Sequence, residues 1–133
     1  MAHWILKTEP STYSFDRLVR ERNTRWDGVT NSVALKHIRA MQRGDEVMIY
    51  HTGDEKAVVG LATVASAPYP DPTDAKLEVV DIAAGKALPR PVTLGEIRKE
   101  AVLRDLALVR MPRLSVVPAT EAQWRKLLQM SRV

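Results

Sequence analysis

Apolar and polar positions change period several times along the chain, and each change predicts an element. His3-Trp4-Ile5-Leu6-Lys7-Thr8-Glu9 reads as a strand, ended by Pro10, which has no N–H to give a ladder. Ser14 is placed to cap a short helix through Arg22, with Phe15, Leu18 and Val19 as its apolar side. Thr24 to Asp27 is short and extended. From Ser32 to Gln42 the period is helical: Ala34, Ile38 and Met41 share one face, and Lys36, Arg39 and Arg43 fall on the opposite one. That helix should pack on a sheet and turn a basic stripe to water.

Gly44-Asp45 predicts a turn into a strand, Glu46–His51, and a loop at Thr52–Lys56 leads to a longer apolar run from Ala57 to Ala67. The pair is most simply a hairpin. Gly60 inside the second run signals a bulge or a close backbone approach. Pro68, Pro70 and Pro72 predict an exposed loop, after which Leu77–Ile82 resumes as strand and Lys86–Pro91 stays extended. Thr93 with Glu96, and Thr120 with Gln123, fit capping boxes. Between them, Leu108–Met111 and Leu114–Val117 read as two short strands. The last helix offers Trp124, Leu127 and Leu128 to the core. About six short strands without regular strand–helix alternation suggest a small α+β barrel and not a doubly wound sheet.

The length of 133 residues suits one domain spanning 1–133. The absence of cysteine excludes disulfides and thiolate metal sites. No apolar run approaches the roughly 20 residues of a membrane-spanning helix, and the first residues lack a signal-peptide pattern. A soluble, intracellular, cytoplasmic protein without membrane attachment is the expectation. The net charge of +4 is unevenly spread: residues 15–43 carry +4, residues 44–85 carry −6 and residues 86–133 carry +6. Basic ends around an acidic middle suit one positive face and a polyanionic partner, although cations that only keep the protein soluble give the same pattern.

Candidate chemistry gathers at Trp26-Asp27-Gly28-Val29-Thr30-Asn31. A flat aromatic precedes a turn dipeptide, and Asn31 stands where it can cap the following helix. Trp26 there either plugs the core or forms the wall of a pocket. No phosphate-binding glycine loop, metal-type histidine pair or nucleophile elbow occurs. His51 can act as acid or base, but a lone histidine more often serves a structural hydrogen bond. Glu9 and Asp27 are the acids nearest the proposed pocket, suited either to acid–base work or to accepting from an exocyclic amine.

These residues carry a family resemblance. Trp4-Ile5-Leu6-Lys7-Thr8-Glu9-Pro10 is similar to the W-x-x-K-[ST]-E-P opening of the EVE domain, the domain of the thymocyte nuclear protein family. Trp26-Asp27-Gly28-Val29-x-Asn31 resembles its W-D-G-V-R-N, Tyr50-His51 its Y-H, and Tyr69-Pro70-Asp71 its Y-P-D. Val80-Asp81-Ile82 resembles V-D-V, and Arg113-Leu114-Ser115-Val116 with Pro118 resembles R-L-S-V-x-P. The resemblance implies a PUA-like fold, kinship with the YTH domain, and a non-enzymatic module that binds a modified base in DNA or RNA. It implies neither cofactor nor metal, and a monomer is expected. A flipped base needs an aromatic face and polar groups for its edge. Trp26 is the expected face, and Thr8, Glu9, Asp27, Asn31, Tyr50 and His51 the expected edge contacts. Lys36, Arg39, Arg43 and Arg113 are the candidates for the phosphate backbone.

The chain departs from the family pattern at Thr30, where Arg is usual, and at Ser32-Val33-Ala34-Leu35, where Y-Q-A-R is usual. The tryptophan that many relatives carry before V-D-V is absent, Leu77 standing nearest. Two other functions compete: a small-molecule module for a free nucleobase-like ligand, and a hydrolase or deaminase using Glu9, Asp27 and His51.

Overall fold

A computed structural model describes residues 1–132. Strands β1 (His3–Thr8) and β3 (Glu46–His51) pair in parallel, His3 opposite Glu46 through Thr8 opposite His51. Every other pairing is antiparallel, and the sheet runs β2 (Asn23–Trp26), β6 (Asp74–Thr93), β4 (Ala57–Val64), β3, β1, β7 (Val116–Ala119), with β5 (Tyr69–Asp71) attached to β6. Among the described residues the strands do not close by pairing: β2 and β7 end the main run, and β5 is a further edge beside β6. Helix α2 (Ser32–Ala40) packs against both β6 and β7, so a helix spans the gap that a closed barrel would fill with hydrogen bonds. The remaining helices are α1 (Phe15–Glu21), α3 (Leu94–Arg98), α4 (Ala107–Arg110) and α5 (Glu121–Met130). A single contiguous apolar core includes Ile5, Leu6, Leu18, Ile38, Met48 and Leu127.

The predicted caps form. Ser14 Oγ accepts from Arg17 N, Asn31 Oδ1 accepts from Val33 N and Ala34 N, and both capping boxes are complete. On α2, which stops at Ala40 and not at the expected Gln42, Ala34 and Ile38 are buried as the periodicity requires; Met41 is buried just past the end, from extended backbone. Leu128 of α5 is only partly buried, while Trp124 and Leu127 are core.

Strand β6 is twenty residues long because Leu77–Ile82 and Lys86–Pro91, read apart in the sequence, continue one another. Pro89 and Pro91 cannot donate to a ladder, and the β4–β6 register slips where they stand: Val58 pairs with Val92, but Gly60 pairs with Ala87. Gly60 therefore sits at a bulge and also at a close approach. A Cβ there would lie 2.3 Å from the Phe15 ring, so α1 packs directly on bare backbone.

Four expectations change. The proline-rich segment is not a free loop: Tyr69–Asp71 is an edge strand, which tolerates Pro70. Tyr69 Oη donates to Asp81 Oδ1 at 2.6 Å, fastening it to β6. Leu108–Met111 is no strand but spans the helical turn α4, where Arg110 N and Met111 N donate to the carbonyls of Leu106 and Ala107. A short unbroken apolar run fits either state, and here local hydrogen bonds decide. The neighbouring strand starts at Val116, two residues later than expected, because only Val116–Ala119 lie beside β1. Val19 is 45% exposed, since Phe15 and Leu18 alone turn inward from α1.

Candidate functional site

A cavity of about 660 Å³ opens between the end of β1, the segment leading into α1, and β2 with its following turn. Lys7, Thr8, Thr12, Tyr13, Arg17, Glu21, Thr24, Arg25, Trp26, Asp27, Gly28, Val29 and Ser115 line it. Trp26 ends β2 opposite Val80 and is only 8% exposed. It is thus core and cavity wall together, not one or the other. Gly28, at φ +77°, turns the chain away after it, a left-handed conformation suited to glycine.

Tyr13 provides a second aromatic, edge-on to Trp26 with centroids 6.2 Å apart and planes at 88°. Its hydroxyl donates to Glu21 Oε1 at 2.6 Å, and the Arg17 guanidinium lies over its ring at 4.9 Å. Burial, then the Glu21 carboxylate that accepts its proton, push the Tyr13 pKa up. The Tyr13 hydroxyl and then Arg17 hold Glu21 below the usual carboxylate range. Lys7 is held below the ordinary lysine value by burial, and its Nζ donates to the carbonyls of Pro112 and Met111 at 3.0 and 3.4 Å. That contact brings the loop before Arg113 to the cavity edge.

Of the seven expected base contacts, Thr8, Trp26 and Asp27 meet at this cavity; the other four do not line it. Glu9 turns to the β3–β4 loop, where its carboxylate accepts from Ser11 N, Ser11 Oγ and Thr52 Oγ1 and lies against Gly53. The Asn31 side-chain oxygen is taken up by the cap of α2. Tyr50 is 4% exposed within the core. His51 is buried, with Nε2 accepting from Phe15 N at 3.0 Å. Its neutral ring must then donate from Nδ1 to Glu55 Oε1, at 2.7 Å. His51 therefore clasps the first residue of α1, a structural task that occupies both ring nitrogens. Glu9, Asp27 and His51 accordingly form no shared acid–base group.

Lys36, Arg39 and Arg43 are exposed, Arg43 in the turn beyond the end of α2 and not on the helix, and two of them are engaged: Arg39 pairs with Glu78 at 3.0 Å and Arg43 Nε donates to Ala65 O at 3.0 Å. Lys36 and Arg113 are exposed and, among the described residues, have no ion-pair partner. Tyr13, Arg17, Arg25, Thr12 and Ser115 were not foreseen as site residues. The one available signal was an aromatic, Tyr13, between a strand-ending Pro10 and the helix cap Ser14. Among the described residues, no group of three or more His, Cys, Asp or Glu side chains is placed to hold a metal ion.

Fold and cavity together define a mixed α+β module of the PUA-like kind. The EVE domain model matches residues 2–130, and the chain belongs to that family. A protein from Rhodopseudomonas palustris, solved by NMR, is 42% identical with a TM-score of 0.94, over 98% of this chain and 93% of that one. A crystal structure from Agrobacterium tumefaciens is 33% identical with a TM-score of 0.95, over 100% and 94%. Human thymocyte nuclear protein 1 is 26% identical over 165 residues, covering 97% of this chain and 73% of that protein. Its structure in complex with 5-methylcytosine containing DNA matches with a TM-score of 0.92 at 24% identity, over 100% and 99% of the two chains.

Proposed function

We propose that this domain is a non-enzymatic reader of a modified nucleobase in a DNA or RNA strand, and that the base enters the Tyr13–Trp26 cavity. The observation that carries the reading is the cavity itself: two aromatics at right angles, hydroxyls and cations around them, and a volume of about 660 Å³. Such a volume is inside the roughly 300–1,000 Å³ typical of small-ligand sites. A base stacked on an aromatic contributes about 1–3 kcal/mol, and Thr8, Asp27 and Ser115 supply groups for its edge. The human relative's complex with 5-methylcytosine containing DNA supports the same reading. Catalysis has no support from the side chains, since both ring nitrogens of His51 are engaged and Glu9, Asp27 and His51 do not converge on the cavity.

Phosphate contacts fall to cations near the mouth: Arg17, Arg25 and Arg113, with Lys36 and Arg39 on α2 and Arg43 in the turn that follows it. Titration of identical strands with and without one modified base, at two salt concentrations, tests the function. The modified strand should bind tighter, and both affinities should fall with salt. Neutralising Lys36, Arg39 and Arg43 together should weaken both strands about equally. It should also flatten the log–log salt slope by roughly 0.9 for each duplex phosphate that these cations neutralise. Salt-independent binding of a free base, with no preference between the strands, would instead favour a small-molecule module.

A further inference from the structure

Three cations and two carboxylates line the cavity: Lys7, Arg17 and Arg25 against Glu21 and Asp27. Arg17 Nε lies 3.1 Å from Glu21 Oε2, and Arg25 Nε lies 4.0 Å from Asp27 Oδ2. Lys7 stands apart. Among the described residues its ammonium has only the carbonyls of Pro112 and Met111 as partners, and no carboxylate forms an ion pair with it. An ammonium carries three donors and accepts nothing, so one N–H is left for a ligand. Its half-buried position lowers its pKa, as expected of a charge with too little solvation.

We infer that Lys7 makes this cavity select neutral modified bases that present an acceptor, and reject bases carrying a fixed positive charge. The inference rests on the base-reading function proposed above. A neutral ring with a carbonyl or ring-nitrogen acceptor takes the spare N–H. A ring methylated into a cation meets an ammonium that no carboxylate offsets, in a space partly shielded from water, where unit charges a few ångströms apart interact strongly. Glu21 is met by Arg17 at 3.1 Å, Asp27 stands 4.0 Å from Arg25, and the lining as a whole keeps one cation in excess.

Isomer pairs test this, because moving one methyl group makes the ring basic enough to take up a proton, which changes its charge without changing its heavy atoms. Identical strands would carry 5-methylcytosine or 3-methylcytosine, and N6-methyladenine or 1-methyladenine, at a mildly acidic pH that keeps the second of each pair cationic. The neutral isomer of at least one pair should bind roughly tenfold or more tighter. Lys7→Met keeps the aliphatic stem and should shrink that ratio several-fold, while Lys7→Arg should preserve it. A purely structural Lys7, holding only the Met111–Pro112 loop, would weaken both isomers alike and leave the ratio unmoved. That result, or a cationic isomer bound as tightly as its neutral partner by the unaltered protein, overturns the inference while leaving base reading intact. Modified strands that never outbind the unmodified one overturn base reading itself, and the inference with it. A ratio near one in the unaltered protein overturns the inference even where Lys7→Met fails to fold, and Lys7→Gln then carries the comparison of ratios.

Discussion

Trp26→Ala is expected to lower the unfolding free energy by about 3–5 kcal/mol and to abolish binding of a modified base. The stability loss follows from burial: Trp26 is 8% exposed, ends an edge strand opposite Val80, and carries the edge-on contact to Tyr13. The binding loss follows because the same ring walls the cavity. The two effects are separated by Trp26→Phe, which keeps an aromatic plane in a smaller volume. That variant should stay folded at ordinary temperature and retain part of the discrimination between modified and unmodified strands. Denaturant melts and titrations on both variants check the pair of outcomes. A Trp26→Ala protein that stays folded and binds as tightly as the parent would remove Trp26 from the site.

Asp45→Ala is expected to cost about 3 kcal/mol or more, with no direct effect on the cavity, because it leaves three donors without an acceptor. Asp45 is 3% exposed and accepts from Ala2 N at 3.1 Å, the Trp4 indole at 3.0 Å and Gln42 N at 2.9 Å. It ties the chain's start, the first strand's tryptophan and the turn after α2 to one carboxylate. Burial alone would raise its pKa; the three N–H groups outweigh that and hold it below the ordinary aspartate value. A depressed folded-state pKa contributes stability that is fully present above the unfolded value of about 3.9 and is lost as pH falls through the folded one. Acid unfolding should therefore steepen below about pH 4 in the parent, and this component should vanish in Asp45→Ala. Urea midpoints measured across that range check it, an unchanged slope in the variant being the contrary result.

Much of the fold could be read from residue order because local chemistry decides it. Ser14, Asn31, Thr93 and Thr120 each cap a helix through hydrogen bonds that span only two or three residues. Ala34 and Ile38 report a face that the helical period dictates. What escaped depended on distant partners. Tyr69–Asp71 becomes a strand only because β6 runs beside it, and β6 is continuous only because β2, β4 and β5 pair along its length. The site divides in the same way. Trp26 and Asp27 sit at a turn visible in the sequence, and Thr8 follows from where β1 ends. Glu9, Asn31, Tyr50 and His51 share the family motifs with them, yet those motifs also hold the turn, the cap and the α1 clasp. A motif residue that the fold needs is indistinguishable, along the chain, from one that a ligand needs. Tyr13 shows the converse, since its partners Glu21 and Arg17 are local but its relation to Trp26 is set by the sheet.

The central claim is the location of the base, and it is tested most directly by mapping amide and indole NMR shifts during titration with a strand carrying one modified base. Binding in the cavity predicts the largest shifts at Lys7–Thr8, Thr12–Tyr13, the Trp26 indole through Val29, and Ser115, with the unmodified strand leaving the Trp26 indole nearly unmoved. Shifts confined to α2, with the Trp26 indole silent toward both strands, would contradict it.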